Sequence, residues 1–367
     1  MIRILHAADL HLDSAFEALS DAKAALRRSE QRELLLKMAR LAETSEARIL
    51  LLAGDLLDSE SPYMETVEIF QQVFGSLEIP VFISPGNHDY WSPRSPYARI
   101  KMPENVHIFK SETIQCVELP ELGARVWGAG FVSGSAPPLL SGFRAEKSGD
   151  LVDIMLIHGQ VGAKDSSYNP ITEEELAGSG MDYVALGHVH TYSGPRRAGN
   201  TWYAWPGCTE GRGFDELGEK GAILADVGIG QCEISFIPLA SRRYEIVEVD
   251  ITSATDIAAA LANAVPDDSE RDIFRIVLKG ECSSEPDINQ LYRQFSQRFF
   301  ELQIRDKTIL RRDIWEKAEE DTLRGLFLTK LRRMYEAESG EKEREKIVQA
   351  ARWGLRALEN GEELYTI

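Results

Sequence analysis

The sequence predicts an α/β fold in which two β-sheets pack face to face with helices on their outer sides. Three observations predict it. In the first hundred residues, short apolar runs alternate with stretches of helical apolar spacing, the β-α-β-α-β order of parallel strands joined by crossover helices. From residue 106 to 237 short strand-like runs follow one another with little helix between them, which calls for a second sheet. Several apolar strands also stop at a small residue followed by Asp, Asn or His, and that edge of an α/β sheet is where ligands bind.

Ile2 to Ala7 reads as a strand and runs into Asp9-Leu10-His11. In an Asp-x-His pair on extended backbone both side chains point to the same side, so both could reach one metal. A capping Asp beside a surface His would give the same pair. Arg27 to Thr44 has helical spacing through Leu34, Leu35, Met38, Leu41 and Ala42. Ile49 to Ala53 is a buried strand ending in Gly54-Asp55-Leu56-Leu57-Asp58, where Gly54 lets the backbone turn tightly. Glu65 to Leu77 is a second amphipathic helix. Ile79 to Ile83 is a strand that Pro85-Gly86 stops, leaving Asn87, His88 and Asp89 on the following loop.

Val106 to Phe109, Ile114 to Leu119 and Ala124 to Ala129 read as strands, and Phe131 to Gly149, rich in Gly, Ser and Pro, as a surface loop. Leu151 to Ile157 is a strand ending in His158-Gly159. Thr172-Glu173-Glu174-Glu175 has the carboxylates of a helix N-terminus. Met181 to Leu186 ends in Gly187-His188-Val189-His190, and Thr201 to Trp205, Gly221 to Val227 and Cys232 to Ile237 are expected to complete the second set of strands. A boundary falls near Ala240 to Arg243. Tyr244 to Val249, Ile257 to Val265, Ile273 to Leu278, Ile288 to Phe300 and Phe300 to Ile304 then alternate strand and helix in a small α+β unit. A second boundary lies near Arg311, and from Ile314 two helices split by Ser339-Gly340 are expected. Leu323, Leu326, Phe327, Leu331 and Met334 share a face of the first, and Ile347, Ala351, Gly354, Leu355 and Leu358 share one of the second.

Composition bounds the function. A hydrophobic content of 43% and a charged content of 27% over 367 residues fit a soluble globular protein with a sizeable core. There is no apolar run of membrane-spanning length, and Met1 leads straight into a strand without a signal-peptide pattern. The four cysteines, Cys116, Cys208, Cys232 and Cys282, are scattered and lack zinc-type spacing, which points to a reducing cytoplasm. A net charge of -18 argues against coating nucleic acid by bulk charge. It leaves open a nuclease, whose phosphate contacts metal ions and a local basic strip can make.

The strand ends together supply Asp9, His11, Asp55, Asn87, His88, His158, His188 and His190. Carboxylates, imidazoles and one amide form a donor set suited to Mn²⁺, Fe²⁺ or Zn²⁺. Asp55 is the natural bridge, since one carboxylate can give an oxygen to each of two ions, and a two-ion site clamps a phosphate and activates water. His6, on the strand itself, reads as a packed histidine, and His107 as surface or core.

The ordered series Asp-x-His, Gly-Asp-x-x-Asp, Gly-Asn-His-Asp, His-Gly and Gly-His-x-His resembles the calcineurin-like metallophosphoesterases, and covers Met1 to about Ala240. Ile4-Leu5-His6-Ala7-Ala8-Asp9-Leu10-His11-Leu12, Gly187-His188-Val189-His190 and Pro206-Gly207-Cys208 are similar to the DNA-repair exonucleases of the SbcD type, particularly the YhaO-like branch. The resemblance implies a four-layer α/β (α+β) sandwich, two central β-sheets flanked by helices, as a metallophosphoesterase domain over residues 1–240. It also implies a small α+β capping domain over 241–311 that helps select DNA, and a C-terminal helical segment over 312–367 that docks on the coiled-coil base of an SbcC-like ATPase. One ion would be held by Asp9, His11, Asp55 and His190, the other by Asp55, Asn87, His158 and His188, with Mn²⁺ foremost and Fe²⁺ or Zn²⁺ as alternatives. His88 would protonate the leaving oxygen, with Asp89 orienting His88 or its loop. Asp58 stands where those enzymes commonly have His, and would orient His88 or stand behind the ligands.

The expected activity is therefore a DNA exonuclease or endonuclease acting in repair, cytoplasmic and without a membrane; the resemblance adds a homodimer through the phosphoesterase core as one option, and the sequence itself leaves the oligomeric state open. A stand-alone phosphodiesterase or phosphatase for small substrates, or a non-catalytic scaffold for the ATPase, would use the same fold. Arg94, Arg99, Lys101, Arg196, Arg197 and Arg212 are candidates for a phosphate track, Arg94 and Arg212 foremost, and Tyr90 and Trp91 for stacking on a base.

Overall fold

The computed structural model describes residues 1–58, 61–147, 149–282, 284–310 and 314–360. The boundary expected near Arg311 lies outside them. The chain opens with β1 (Ile2–Ala7), α1 (Asp21–Thr44), β2 (Ile49–Leu52), α2 (Met64–Ser76), β3 (Val81–Ile83), the short α3 (Pro96–Arg99) and β4 (Val106–Ile108). β1, β2, β3 and β4 are neighbours and parallel, as the alternation of strand and helix requires. Next come β5 (Gln115–Leu119), β6 (Ala124–Gly128), β7 (Val152–His158), the two-residue strands β8 (Gln160–Val161) and β9 (Pro170–Ile171), α4 (Glu173–Gly178), β10 (Tyr183–Gly187), β11 (Arg196–Ala198) and β12 (Thr201–Ala204). Thr172 caps α4 in a reciprocal capping box with Glu175, the start that its run of carboxylates signals.

The second six-stranded sheet has the order β11-β12-β10-β7-β6-β5. β13 (Gly221–Gly228) and β14 (Gln231–Pro238) do not join it. They return to the first sheet, whose order is β14-β13-β1-β2-β3-β4, with β13 antiparallel to β1. That corrects their expected place in the second set. β13 is buried along most of its length and β14 alternates, and a hairpin of this kind fits the open edge of either sheet, so periodicity alone does not choose.

The sheets are held by three apolar layers. Ile4, Leu51, Phe82 and Ile223 of the first sheet meet Val126, Ile154, Leu156 and Tyr183 of the second. Leu34, Leu35 and Met38 of α1 and Phe70, Val73 and Phe74 of α2 cover the outer face of the first, with Leu5, Leu50 and Leu52 beneath them. Leu176 of α4 covers the second with Met155, Ile157 and Val184. The fold is thus a mixed α/β sandwich of two large sheets flanked by helices. The described residues between 131 and 149 carry no regular element, yet Phe131, Ala136, Leu140 and Ala145 are buried, so this loop is less superficial than its composition implied.

The chain continues through β15 (Tyr244–Asp250), α5 (Ile257–Ala264), β16 (Ile273–Lys279), β17 (Glu281–Cys282), α6 (Ile288–Phe295), β18 (Glu301–Asp306) and β19 (Ile309–Leu310) to α7 (Leu323–Ala337) and α8 (Glu341–Asn360). β15, β16 and β18 form a three-stranded sheet. Packing divides the chain into two compact units. The first holds Met1–Ile246, Asp267–Arg275 and Phe295–Gln303, and the second holds Val247–Pro266, Ile276–Gln294 and the chain from Ile304 onward. In the second unit Leu328 of α7 and Ala351 of α8 are buried together with Ala318, and Phe327, Leu331 and Leu355 pack against them. Leu323, Leu326 and Met334 are exposed instead, so the apolar face expected on α7 is divided between packing and solvent. Among the described residues no helix is long and apolar enough to cross a membrane. All four cysteines are free.

Candidate metal centre

The site lies where the C-terminal ends of β1, β2, β3, β7 and β10 meet. Two glycines make the approach possible. Gly54 has φ +86°, and a Cβ there would fall 2.6 Å from His158 Nδ1. A Cβ on Gly187 would fall 1.8 Å from the carbonyl oxygen of Ala53, so the two sheets touch backbone to backbone at this point. Beyond the strands, Asp9 (φ 52°), His11 (φ 44°), Asp55 (φ 52°) and His188 (φ 95°) all adopt left-handed backbone. The Asp9 amide donates to the Gly54 carbonyl and the His11 amide to the Asp55 carbonyl, both at 3.0 Å, which holds the ends of β1 and β2 side by side.

Asp9, His11 and His190 have ligand atoms within 4.8 Å of one another, as do Asp9, Asp55 and His158, and His11, Asp58 and His88. Asp55 Oδ2 lies 3.5 Å from His158 Nε2 and 4.0 Å from His11 Nε2, one imidazole from each expected ion. Asn87 Oδ1 stands 3.1 Å from His158 Nε2. His188 is outside the three groups. Its amide donates to Asp9, and its ring packs on those of His158 and Tyr168 at 5.2 and 5.0 Å.

The tautomers test whether cations fit. His11 Nδ1 is 3.0 Å from the Asp58 carboxylate, His190 Nδ1 is 2.7 Å from that of Glu216, and His158 Nδ1 is 2.8 Å from the Ala53 carbonyl. Each of these nitrogens faces an oxygen that can only accept; His190 Nδ1 also has Arg212 Nη2 at 3.2 Å, but its shorter contact is to the Glu216 carboxylate, so each nitrogen carries the ring proton and donates it. The three Nε2 atoms are then left with lone pairs. Yet His11 Nε2 and His190 Nε2 face each other at 3.3 Å, and His158 Nε2 faces the oxygens of Asn87 and Asp55. Lone pair against lone pair, among buried carboxylates, is an arrangement that divalent cations resolve, and the donor set fits them.

The charges are correspondingly distorted. Burial and the nearby Asp55 charge push the Asp9 carboxyl well above its usual range. At Asp55 burial acts the same way, but His158 and His11 outweigh it and the net shift is downward. Burial and the adjacent His158 lower His188 to about 4. Burial also lowers His6 to about 3, and His6 is packed between the Tyr183 hydroxyl and the Leu186 carbonyl rather than at the site.

Asp58 lies behind the centre. It accepts from His11 Nδ1 and Ser14 Oγ, and its Oδ1 is 3.2 Å from His88 Nδ1. Those hydrogen bonds overcome the opposing effect of burial and hold its carboxyl far below the carboxylate range. His88 is half exposed, and the Asp58 hydrogen bond raises its imidazole above the ordinary range. Asp89 turns its side chain to the site loops. Its buried carboxylate accepts from the amides of Gly86, Asp55 and Leu56 and from the Tyr97 hydroxyl, so it fastens the two site loops together and leaves the orientation of His88 to Asp58.

Arg212 reaches the centre. Its guanidinium pairs with Glu216 at 2.7 Å and comes within 3.9 Å of Asp58. The Arg94 amide donates to Ser92 Oγ and its carbonyl accepts from Arg99. Arg196 and Arg197 lie over the faces of Trp205 and Trp202. Trp91 packs on the first core beneath Lys110. Glu216, Tyr97 and Tyr168 were not expected. Glu216 lies in an irregular stretch whose only signal is its Gly-Arg-Gly-Phe-Asp-Glu-Leu-Gly composition.

The model of the calcineurin-like phosphoesterase family matches residues 2–192. Among known proteins, the chain is 30% identical over 273 residues to the uncharacterized metallophosphoesterase YhaO of Bacillus subtilis, a match covering 70% of this chain and 65% of that one. It is 24% identical to the DNA double-strand break repair protein Mre11 of Methanopyrus kandleri, over 68% of this chain and 59% of that one. It is also 24% identical to the D component of the nuclease SbcCD of Staphylococcus epidermidis, over 68% and 73%. The chain thus spans somewhat less than two thirds of the first two relatives. With the family match and a donor set built for divalent cations, the chain belongs to the calcineurin-like phosphoesterase family, metal-dependent hydrolases of phosphoester bonds.

Proposed function

We propose that the protein is a DNA nuclease of the SbcD type, cleaving phosphodiester bonds with two Mn²⁺ ions and working with an SbcC-like coiled-coil ATPase. The observation that carries the reading is the convergence of the Nε2 lone pairs of His11, His158 and His190 on buried Asp9 and Asp55 beside a half-exposed His88. The likeness to Mre11 and to the SbcCD nuclease favours DNA over a small phosphoester. Asp9, His11, Asp55 and His190 would hold one ion, and Asp55, Asn87, His158 and His188 the other. Bound there, the ions would supply Lewis acidity that activates water and offsets phosphate charge. His88, its Nδ1 proton donated to Asp58 and its pKa raised, keeps a proton on Nε2 for the departing oxygen. Arg212, held by Glu216, offers guanidinium N–H groups to a phosphate oxygen. The unit over 241–311 would cap the site, and the helices over 312–367 would carry the ATPase.

The test uses end-labelled duplex and single-stranded DNA with Mn²⁺, alongside a small chromogenic phosphodiester. His88→Ala should keep its metal and lose about 10²- to 10⁴-fold in turnover, whereas His190→Ala should lose metal. Equal metal content in the two variants would sink the assignment of roles. Turnover of the small ester with DNA left intact, even after the ATPase is added, would make the protein a small-substrate phosphodiesterase.

A further inference from the structure

Beside His188 the loop between β8 and β9 lines an open depression of about 770 Å³ formed by Gln160, residues 162 to 168 and His188. Its rim carries Tyr168, 37% exposed, with its ring tilted 37° against that of His188 and 5.0 Å away. The neck of the loop is fixed. Asn169 is fully buried with φ 48°, donates to the carbonyl of His158 at 2.8 Å and accepts from the Leu139 amide at 2.8 Å. The Ala136 amide donates to the Ser167 carbonyl, and the Asn169 amide to the Ala136 carbonyl. The aromatic ring is therefore anchored to the backbone of a candidate ligand, through a residue that no Cβ on Gly159 would tolerate.

We propose that this loop is a nucleoside subsite, in which Tyr168 stacks on the base attached to the phosphate being cleaved. The proposal rests on the hydrolase reading above and narrows its substrate. An exposed aromatic face next to the phosphate position is what a base needs, since every base has a π-face. The other walls are polar: Gln160, Lys164, Asp165, Ser166 and Ser167 offer amide, ammonium, carboxylate and hydroxyl groups that match the donors and acceptors of a base edge. Such walls suit neither a lipid tail nor a simple alkyl ester, and the depression falls in the ordinary size range of small-ligand pockets, about 300–1,000 Å³. Trp91, by contrast, packs against the first core.

The experiment compares two diesters that share a leaving group, thymidine 5′-p-nitrophenyl phosphate and methyl p-nitrophenyl phosphate. Each is assayed with Mn²⁺ on the full chain and on Tyr168→Ala and Tyr168→Phe. The ratio of kcat/KM for the thymidine ester to that for the methyl ester should fall at least about fivefold in Tyr168→Ala, mainly through KM, and stay within about twofold in Tyr168→Phe. Partial unfolding or a disturbed His188 affects both esters alike and cancels in the ratio. An unchanged ratio in Tyr168→Ala, or an equal loss in Tyr168→Phe, would overturn the subsite. If the wild type hydrolyses neither ester, small esters are not its substrates, and the hydrolase reading is judged on DNA as above. Calorimetric binding of thymidine 5′-monophosphate against inorganic phosphate then decides the subsite. A wild-type preference for the nucleotide that disappears in Tyr168→Ala supports it, and no preference overturns it.

Discussion

Glu216 acts on two groups at once: one carboxylate accepts from His190 Nδ1 and pairs with Arg212. A metal-binding histidine depends on such a partner for its tautomer and ring orientation. Glu216→Ala should weaken Mn²⁺ binding by about 10- to 100-fold, measured by equilibrium dialysis with metal analysis. Binding within twofold of wild type would show that His190 holds its orientation unaided. Nothing in the sequence separates Glu216 from Asp215 beside it, because its role comes from a contact that only the fold creates. Asp9 and Asp55 were legible for the opposite reason: they follow strands at once, and the strands are marked by their own apolar runs. Their backbone was not legible. Left-handed backbone disfavours Ala by about 1–2 kcal/mol relative to Gly, less the greater freedom of unfolded Gly, about 0.5–1 kcal/mol. Metal-free Asp9→Gly should therefore melt a few degrees above Asp9→Ala, although both lack the carboxylate. Equal melting temperatures would mean that the loop relaxes.

At the scale of elements, α1 does more than cover the first sheet. Its buried Arg27 donates to Glu30, to Glu210 and to the carbonyl of Gly211, and Glu30 is also gripped by Arg242. The helix thereby fixes the chain immediately before Arg212. Burial pushes the Glu30 carboxyl upward, but hydrogen bonds from Arg242 and Arg27 win and hold it below its ordinary range. Its contribution to stability is therefore complete above the unfolded carboxyl value of about 4.3 and fades as pH falls through the lower folded value. Glu30→Gln should be about 2 kcal/mol less stable at pH 7, with the gap to wild type narrowing below about pH 4 in urea melts. A constant gap would assign the loss to packing alone. α1 begins at Asp21 rather than Arg27, since its polar and alanine-rich first turns carry no apolar stripe for periodicity to find. α7 begins at Leu323 rather than near Ile314, because Thr322 caps it by accepting from the Gly325 amide.

For the whole molecule, the layers and the parallel strands were legible because burial on both faces writes itself as unbroken apolar runs. The return of β13 and β14 to the first sheet was not, because strand pairing across some 220 residues leaves no local mark. That arrangement divides the site: Asp9, His11, Asp55, Asn87 and His88 follow strands of the first sheet, while His158, His188 and His190 belong to the second. Ions shared between them would tie the sheets together. At 100 times its dissociation constant a cation adds about 2.7 kcal/mol, so chelation should lower the melting temperature by about 5–10 °C. A melting temperature indifferent to both chelator and Mn²⁺ would deny that coupling.

The antiparallel pairing of β1 with β13 has a consequence for the nascent chain. β1 leaves the ribosome long before β13, the neighbour that ends at Gly228. At about 5–20 residues per second, some 10 to 45 s of synthesis separate the partners. Throughout that interval one side of the strand that leads to Asp9 and His11 is an unpaired edge, open to other chains. Metal capture would need both sheets, and this unit, which also takes in Asp267–Arg275 and Phe295–Gln303, closes only when those later stretches have followed.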